Sequence, residues 1–312
     1  MNIAYIEPLT RAWNRMKKAL FNPFDLKKWF IVGFTAFLAG LAEGPHGNGS
    51  QIRGDGDLSF RNIANFPSNA WEWLMNNPGW FMAIMFIGMF VIILVILVIW
   101  LSSRGKFMFL DNVVHDRAEI SKPWKHFKMQ GNSLFLWRLC FALICLMLFI
   151  MILFFFFTMA SNIYHDSLSP LPVLLIVGMV LLGILMGVVI GYISLFLNNF
   201  VVPIMYKNNI TAIQAWNQFL PLFRQYPLPF ILYGLFVFIL TILVVICVAI
   251  AGLLTCCIGF LLLAIPYVGS VVTLPISYTY RAFSLEFLAQ FGPEFVLFPP
   301  PKDSPVSAPA QK

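Results

Sequence analysis

The chain has 312 residues, 60% of them hydrophobic and only 11% charged, with a formal charge of +7 and a mean hydropathy of +0.84. A water-soluble domain carries roughly 25% charged residues, so a soluble globular protein is excluded and lipid is the solvent for most of the chain. The basic balance does not point to nucleic acid, because Lys and Arg cluster beside apolar runs instead of forming a separate basic face.

From the N-terminus, Thr10-Arg-Ala-Trp13-Asn-Arg-Met16 reads as an amphipathic helix lying in the membrane interface. Leu9, Ala12, Trp13, Met16 and Leu20 fall on one face, and Arg11, Asn14, Arg15, Lys17 and Lys18 on the other. No short apolar run with a small-residue cleavage site precedes it, so no cleavable leader is expected.

Six apolar segments follow. Trp29–Ala42 is shorter than the about 20 residues a crossing needs; it either spans with Lys27 and Lys28 snorkelling or forms a re-entrant hairpin. Trp80–Leu101, Leu134–Ala160, Leu171–Leu197 and Pro229–Leu254 are long enough. Ile258 to about Tyr280 qualifies although Pro266 and Pro275 interrupt it.

Orientation follows from the loops. Arg11, Arg15, Lys17, Lys18, Lys27 and Lys28 precede the first span, and Arg104, Lys106, Arg117, Lys122, Lys125 and Lys128 separate the second from the third. Lys207 and Arg224 follow the fourth span, and Arg281, Lys302 and Lys312 the sixth. The intervening loops are poor in basic residues: Arg53 and Arg61 are offset by Glu43, Asp55, Asp57 and Glu72, and 161–170 has neither Lys nor Arg. The positive-inside rule then places both termini in the cytoplasm, in the cell's inner membrane.

An internal repeat organises the spans. The Trp13 motif recurs as Ser121-Lys-Pro-Trp124-Lys-His-Phe127 and as Thr211-Ala-Ile-Gln-Ala-Trp216-Asn-Gln-Phe219, each ahead of an odd-numbered span. Thr211 with Gln214 makes a capping box, and Ser121 is a good N-cap. Trp13, Trp124 and Trp216 are the expected interfacial anchors. The even spans end on Arg104-Gly-Lys-Phe107, Asn198-Asn-Phe200 and Tyr280-Arg-Ala-Phe283. The expected fold is an all-α integral membrane protein with six transmembrane helices, built as three units of interfacial helix plus helical hairpin. The repeats cover approximately 5–110, 115–205 and 208–290 of a membrane domain over 1–291. A Pro-rich cytoplasmic tail, 292–312, is expected to be disordered, or to serve as a docking strand.

Gly183, Gly187 and Gly191 share one face of the fourth span, where a helix of the bundle or of a second copy can approach closely. Ser270, Thr273, Ser277, Tyr280, Arg281 and Ser284 give the last span its polar face. That face could line a path or meet a lipid headgroup, although hydroxyls bonding back to their own helix are the plainer reading. Arg138 alone places a charge inside a span, near enough to its end to snorkel, so coupling through a buried carboxylate is not expected. Asp111, His115 and Glu119 share a helix face, beside Asp116; a metal is conceivable there, but a solvated face is plainer. The five cysteines lie in or beside apolar runs, and only the Cys256–Cys257 pair could carry redox meaning. No catalytic, cofactor-binding or metal residue is assigned.

Asn22-Pro-Phe-Asp25 followed by Trp29, Arg104-Gly-Lys-Phe107 to Val114, and Tyr280-Arg281 through Glu286-Phe-Leu288 to Phe291-Gly292 resemble a family of uncharacterised polytopic membrane proteins of bacteria and archaea. More loosely, the hairpin pattern is similar to the membrane domain attached to some glycerophosphodiester phosphodiesterases. No phosphodiesterase domain is attached here, so the resemblance implies a fold and no activity. The expected function is non-enzymatic: a scaffold or subunit of a membrane complex that grips anionic lipids at the cytoplasmic face and packs with other proteins or with itself. The alternative is a transporter, channel or lipid-handling protein with a polar path along the last transmembrane helix.

Overall fold

The computed structural model describes residues 3–43, 66–163, 171–255 and 258–299. The loop around 44–65, the Cys256–Cys257 pair and the Pro-rich stretch 300–312 lie outside the described residues. Among the described residues the regular structure is helical: α1 (Ile6–Phe21), α2 (Leu26–Gly40), α3 (Phe66–Asn76), α4 (Pro78–His115), α5 (Ser121–His126), α6 (Lys128–Ile163) and α7 (Leu171–Phe196). A π turn (Leu197–Val201) then leads into α8 (Val202–Asn208), α9 (Ala212–Gln225), α10 (Pro227–Leu254), α11 (Ile258–Ala264), α12 (Pro266–Val272) and α13 (Leu274–Leu288).

Among the described residues, four stretches are long and apolar enough to cross a membrane: Pro78–His115, Lys128–Thr158, Val177–Asn208 and Pro227–Leu254. The other two expected spans take a different form. The first, α2, has 15 residues, about 22 Å at about 1.5 Å per residue. The last is broken into α11, α12 and α13. Pro266 and Pro275 supply no backbone N–H and stand at or next to the first position of their helices, while Ile265 is extended (φ −79°, ψ 112°).

The chain divides into two compact units, one formed by Met1–Gly40, Ser102–Leu134 and Phe196–Lys312, the other by Leu41–Leu101 and Phe135–Leu195. In the first unit α1 lies along α13. Ala12, Met16, Ala19 and Leu20 bury the apolar face of α1, while Arg11, Asn14, Arg15, Lys17 and Lys18 stay exposed. The face read as lipid-directed is therefore covered by protein, and Trp13 stands outside it at 49% exposure. Both ends of α1 are tied down. Ala4 exchanges two hydrogen bonds with the side chain of Gln290, each 3.0 Å. At the other end Lys28 Nζ donates to Ala19 O (2.6 Å) and Trp29 Nε1 to Leu20 O (2.8 Å), which satisfies carbonyls the helix leaves open. Lys28 also bridges to Asp116 (2.8 Å), just beyond the end of α4. The turn between α1 and α2 contains a cis Asn22–Pro23 peptide bond.

α2 packs on α12, where a Cβ at Gly33 would stand 2.7 Å from Val271 Cγ2. It also meets α4 so closely that a Cβ at Gly105 would lie 2.6 Å from the backbone of Leu38. Glycine is needed there for approach, not for its dihedral freedom. The rest of the interface is polar: Ser102 Oγ donates to Ala39 O (2.8 Å) and Asn112 Nδ2 to Thr35 Oγ1 (3.3 Å). An aromatic cluster fills the remainder of this unit. Phe200, Phe219, Phe230, Tyr233, Phe283 and Phe287 are all at most 1% exposed, with Tyr233 and Phe287 centroids 4.5 Å apart. Each such ring pair adds roughly 1 kcal/mol beyond the area it buries.

The second unit is apolar and unburied. Phe86 is 68% exposed, Met147 74% and Leu181 61%, a surface compatible with lipid and not with water.

Candidate functional site

Three motifs that read as equivalent in sequence converge in the first unit. Lys106 of α4 donates from Nζ to Asn198 Oδ1 at 2.5 Å, and Arg281 of α13 donates from Nη1 to Asn198 O at 2.7 Å. Asn198 belongs to the π turn, whose wider winding interrupts the ordinary i→i+4 ladder, so a side chain can reach a main-chain carbonyl there. Lys106 is 2% exposed and Arg281 9%. The phenylalanine closing each motif, Phe107, Phe200 and Phe283, is wholly buried. Arg104, two residues before Lys106, donates to Asn132 Oδ1 (3.0 Å) and lies 4.9 Å over the ring of Trp124.

Beside this hub α4 ends in a polar cleft of about 850 Å³. Asp111, with a side chain only 8% exposed, stands at its base and takes three partners: Tyr206 Oη at 2.7 Å, His115 Nδ1 at 3.2 Å and Arg117 at 3.6 Å. The shared Asp111–His115–Glu119 face does not form. α4 stops at His115, Asp116 turns the chain with φ 53°, and Glu119 pairs instead with Lys122 at 2.9 Å. That hydrogen bond holds the Glu119 carboxyl below its ordinary value. No group of three or more His, Cys, Asp or Glu side chains could hold a metal ion among the described residues. Lys125, His126 and Lys207 complete the basic wall.

Of the tail 292–312, residues 292–299 are described, and some of them touch the rest of the first unit. Lys207 Nζ donates to Glu294 O (2.6 Å) and Pro293 O (3.3 Å), and the Arg15 guanidinium lies 3.9 Å over the ring of Phe298. Val296 and Leu297 form one wall of the cleft. On the far side of this strap Glu286, its side chain 7% exposed, is held by Arg15 at 2.6 Å and by Arg11 at 3.8 Å.

The residues singled out in sequence are dispersed. Trp124 stacks beneath Arg104 and Trp216 meets Phe219 edge to face at 5.8 Å, so both touch protein. A Cβ at Gly183, Gly187 or Gly191 would meet nothing within 4 Å; the close approach expected at that face is not made by the described chain. On the last span, Ser270, Thr273 and Ser284 donate to Pro266 O, Gly269 O and Arg281 O, and Tyr280 meets Thr241 at 3.2 Å. Ser277 is half-buried and Arg281 serves the hub. The hydroxyls of Ser270, Thr273, Ser284 and Tyr280 are therefore spent within the bundle, mostly on their own helices. Sequence reasoning passed over Tyr206, read Lys207 only as an orientation signal and Glu286 only as part of a resemblance motif. The available signal for Lys106 and Glu286 was a charge within a helix that continues an apolar run.

The chain belongs to a family of unknown function, DUF7544, which matches residues 3–298. No curated protein and no solved structure matches it, so the likeness to glycerophosphodiester phosphodiesterases finds no support. What family and fold establish is the class: a member of a family of unknown function, helical in its described residues, with four apolar helices among them suited to a membrane.

Proposed function

We propose that this chain is a non-enzymatic scaffold or subunit of a membrane complex. In this reading it is a six-segment protein of the inner membrane with both termini in the cytoplasm. Support for the count comes from α2 and α11–α13, which pack together as a short first segment and a broken last one. The alternation of Lys and Arg supports the orientation. The convergence of Lys106, Asn198 and Arg281 supports a threefold repeat.

The observation that carries the scaffold reading is the contrast in burial. Between 0 and 11% of the most apolar window of each long helix is buried inside the chain, and the Gly183–Gly187–Gly191 face stands open. Apolar helices tolerate lipid, but a small-residue face gains only from another helix approaching it. A path along the last span has less support, because the hydroxyls of Ser270, Thr273 and Ser284 are occupied by carbonyls and that of Tyr280 by Thr241.

The test is gentle purification from the native membrane into nanodiscs, with the mass and composition of every particle measured. A stoichiometric partner, or a defined homo-oligomer that Gly183→Leu/Gly187→Leu converts to monomer, supports the reading. A lone monomer with no partner, unchanged by that substitution, overturns it.

A further inference from the structure

The turn that joins α1 to α2 carries an aromatic cluster that the chain leaves open. The ring centroids of Phe21 and Phe24 lie 5.4 and 5.5 Å from that of Trp29, and 6.5 Å from each other. Trp29 is held in place, since its Nε1 donates to Leu20 O at 2.8 Å. Phe21, Phe24 and Leu26 are nonetheless each at least half exposed, and so in large part is Phe30, one turn further into α2. A contiguous apolar patch of this kind marks a surface that something outside the chain covers. Trp124 and Trp216, by contrast, touch protein.

Charge says what covers it. Lys17 and Lys18 stand four and three residues before Phe21, on the same side of α1, and Lys27 adjoins Leu26; all three are exposed. Lys28 is spent on Ala19 O and Asp116, but Lys17, Lys18 and Lys27 enter no ion pair among the described residues. Asp25 is the one carboxylate between Lys17 and Phe30, and its Oδ1 already accepts from the Lys27 backbone N–H at 2.8 Å. Three lysines against one carboxylate leave the turn two charges positive. The chain thus passes from the lysines of α1, through exposed rings, into the apolar length of α2. That order repeats the layers of an anionic leaflet: phosphates, interface, hydrocarbon. A lysine at a helix start, as Lys27 is, can extend its side chain back to the headgroups.

We propose that the α1–α2 turn binds anionic phospholipid, inserting Phe21, Phe24 and Leu26 into the leaflet that α2 enters while Lys17, Lys18 and Lys27 hold the phosphates. The proposal rests on α2 being the first membrane segment. It does not depend on the scaffold role, since a lone monomer would carry the same turn.

The full chain is reconstituted in nanodiscs of phosphatidylglycerol and phosphatidylcholine in equal parts. The photocrosslinker p-benzoylphenylalanine replaces Phe24 or, separately, Phe34 of α2, and adducts are identified by mass spectrometry. At Phe24, phosphatidylglycerol adducts should outnumber phosphatidylcholine adducts by about fivefold, the contribution of a single lysine near an anionic surface. Lys17→Gln/Lys18→Gln/Lys27→Gln should return that ratio to near unity, and Lys122→Gln/Lys125→Gln, exposed cations of α5, should leave it unchanged. An even ratio in the wild type, an equal fall in both variants, or crosslinks from Phe24 to a second copy in place of lipid would each overturn the proposal. Lipid adducts at Phe34 with none at Phe24 would overturn it and leave α2 standing as a membrane segment; none at either position would overturn both.

Discussion

One helix, α4, contains two opposite solutions to burial. Residues 78–101 are almost entirely apolar and mostly exposed; Phe86, Met82 and Phe90 are each at least 65% accessible. Residues 102–114 include Ser102, Ser103, Arg104, Lys106, Asp111 and Asn112, and every one is buried. A water-soluble protein would arrange the two halves the other way round. The comparison teaches that hydropathy here marks the solvent and not the core. The packed interior is the polar half, because lipid offers an apolar chain what it already has and offers a polar chain nothing.

The comparison is broken most severely through its glycines. Gly105→Leu should abolish recovery of folded protein, since its Cβ alone would lie 2.6 Å from Leu38 backbone, beyond the about 1–3 kcal/mol of ordinary overpacking. Gly88→Leu, with nothing within 4 Å, should leave recovery and the melting temperature in micelles unchanged. Equal tolerance at both positions would remove the distinction between the halves.

Polarity exchange is next in size. Leu94→Lys should cost membrane insertion about 3 kcal/mol, read as a fall in the membrane-integrated fraction. Lys106→Met should leave insertion intact and lower stability by roughly 2 kcal/mol, because Asn198 Oδ1 loses a charge-assisted donor. Insertion is thus set by one half of the helix and packing by the other.

Arg15→Ala should destabilise the first unit by roughly 2 kcal/mol in thermal melts of the solubilised protein. It leaves Glu286, at 7% exposure, with only Arg11 at 3.8 Å. The full cost of a deserted buried carboxylate, about 3–5 kcal/mol, is reduced because Arg15 is itself 41% exposed. Arg15→Lys should recover part of the loss.

The smallest effect is a pH dependence. Lys122 depresses the Glu119 carboxyl below its ordinary 4.5. A depressed acid stabilises above its unfolded value and loses that contribution as pH falls through the lower folded one. The melting curves of wild type and Lys122→Gln should therefore differ slightly at neutral pH and converge below about pH 4. A difference that persists at low pH would mean that Lys122 acts through packing.

Membrane character was legible from composition, because no folded arrangement can hide so much apolar surface from water. Local signals were legible too: the Thr211–Gln214 capping box forms as read, and Pro266 breaks the last segment where the missing N–H requires it. The motifs Arg104-Gly-Lys, Asn198-Asn-Phe and Tyr280-Arg were visible as strings. Their meeting at Asn198 was not, since it depends on three helices far apart in the chain crossing at one level. Amphipathicity likewise showed that α1 has a face to cover, but lipid and α13 are equally apolar partners, and only packing chose α13. The cleft was least legible of all. Arg117, Tyr206 and Lys207 carry no local pattern and are joined through Asp111 and the Pro293–Phe295 turn. Solvent preference is a property of the sequence taken residue by residue; a site is a property of distances, and those exist only once the chain has packed.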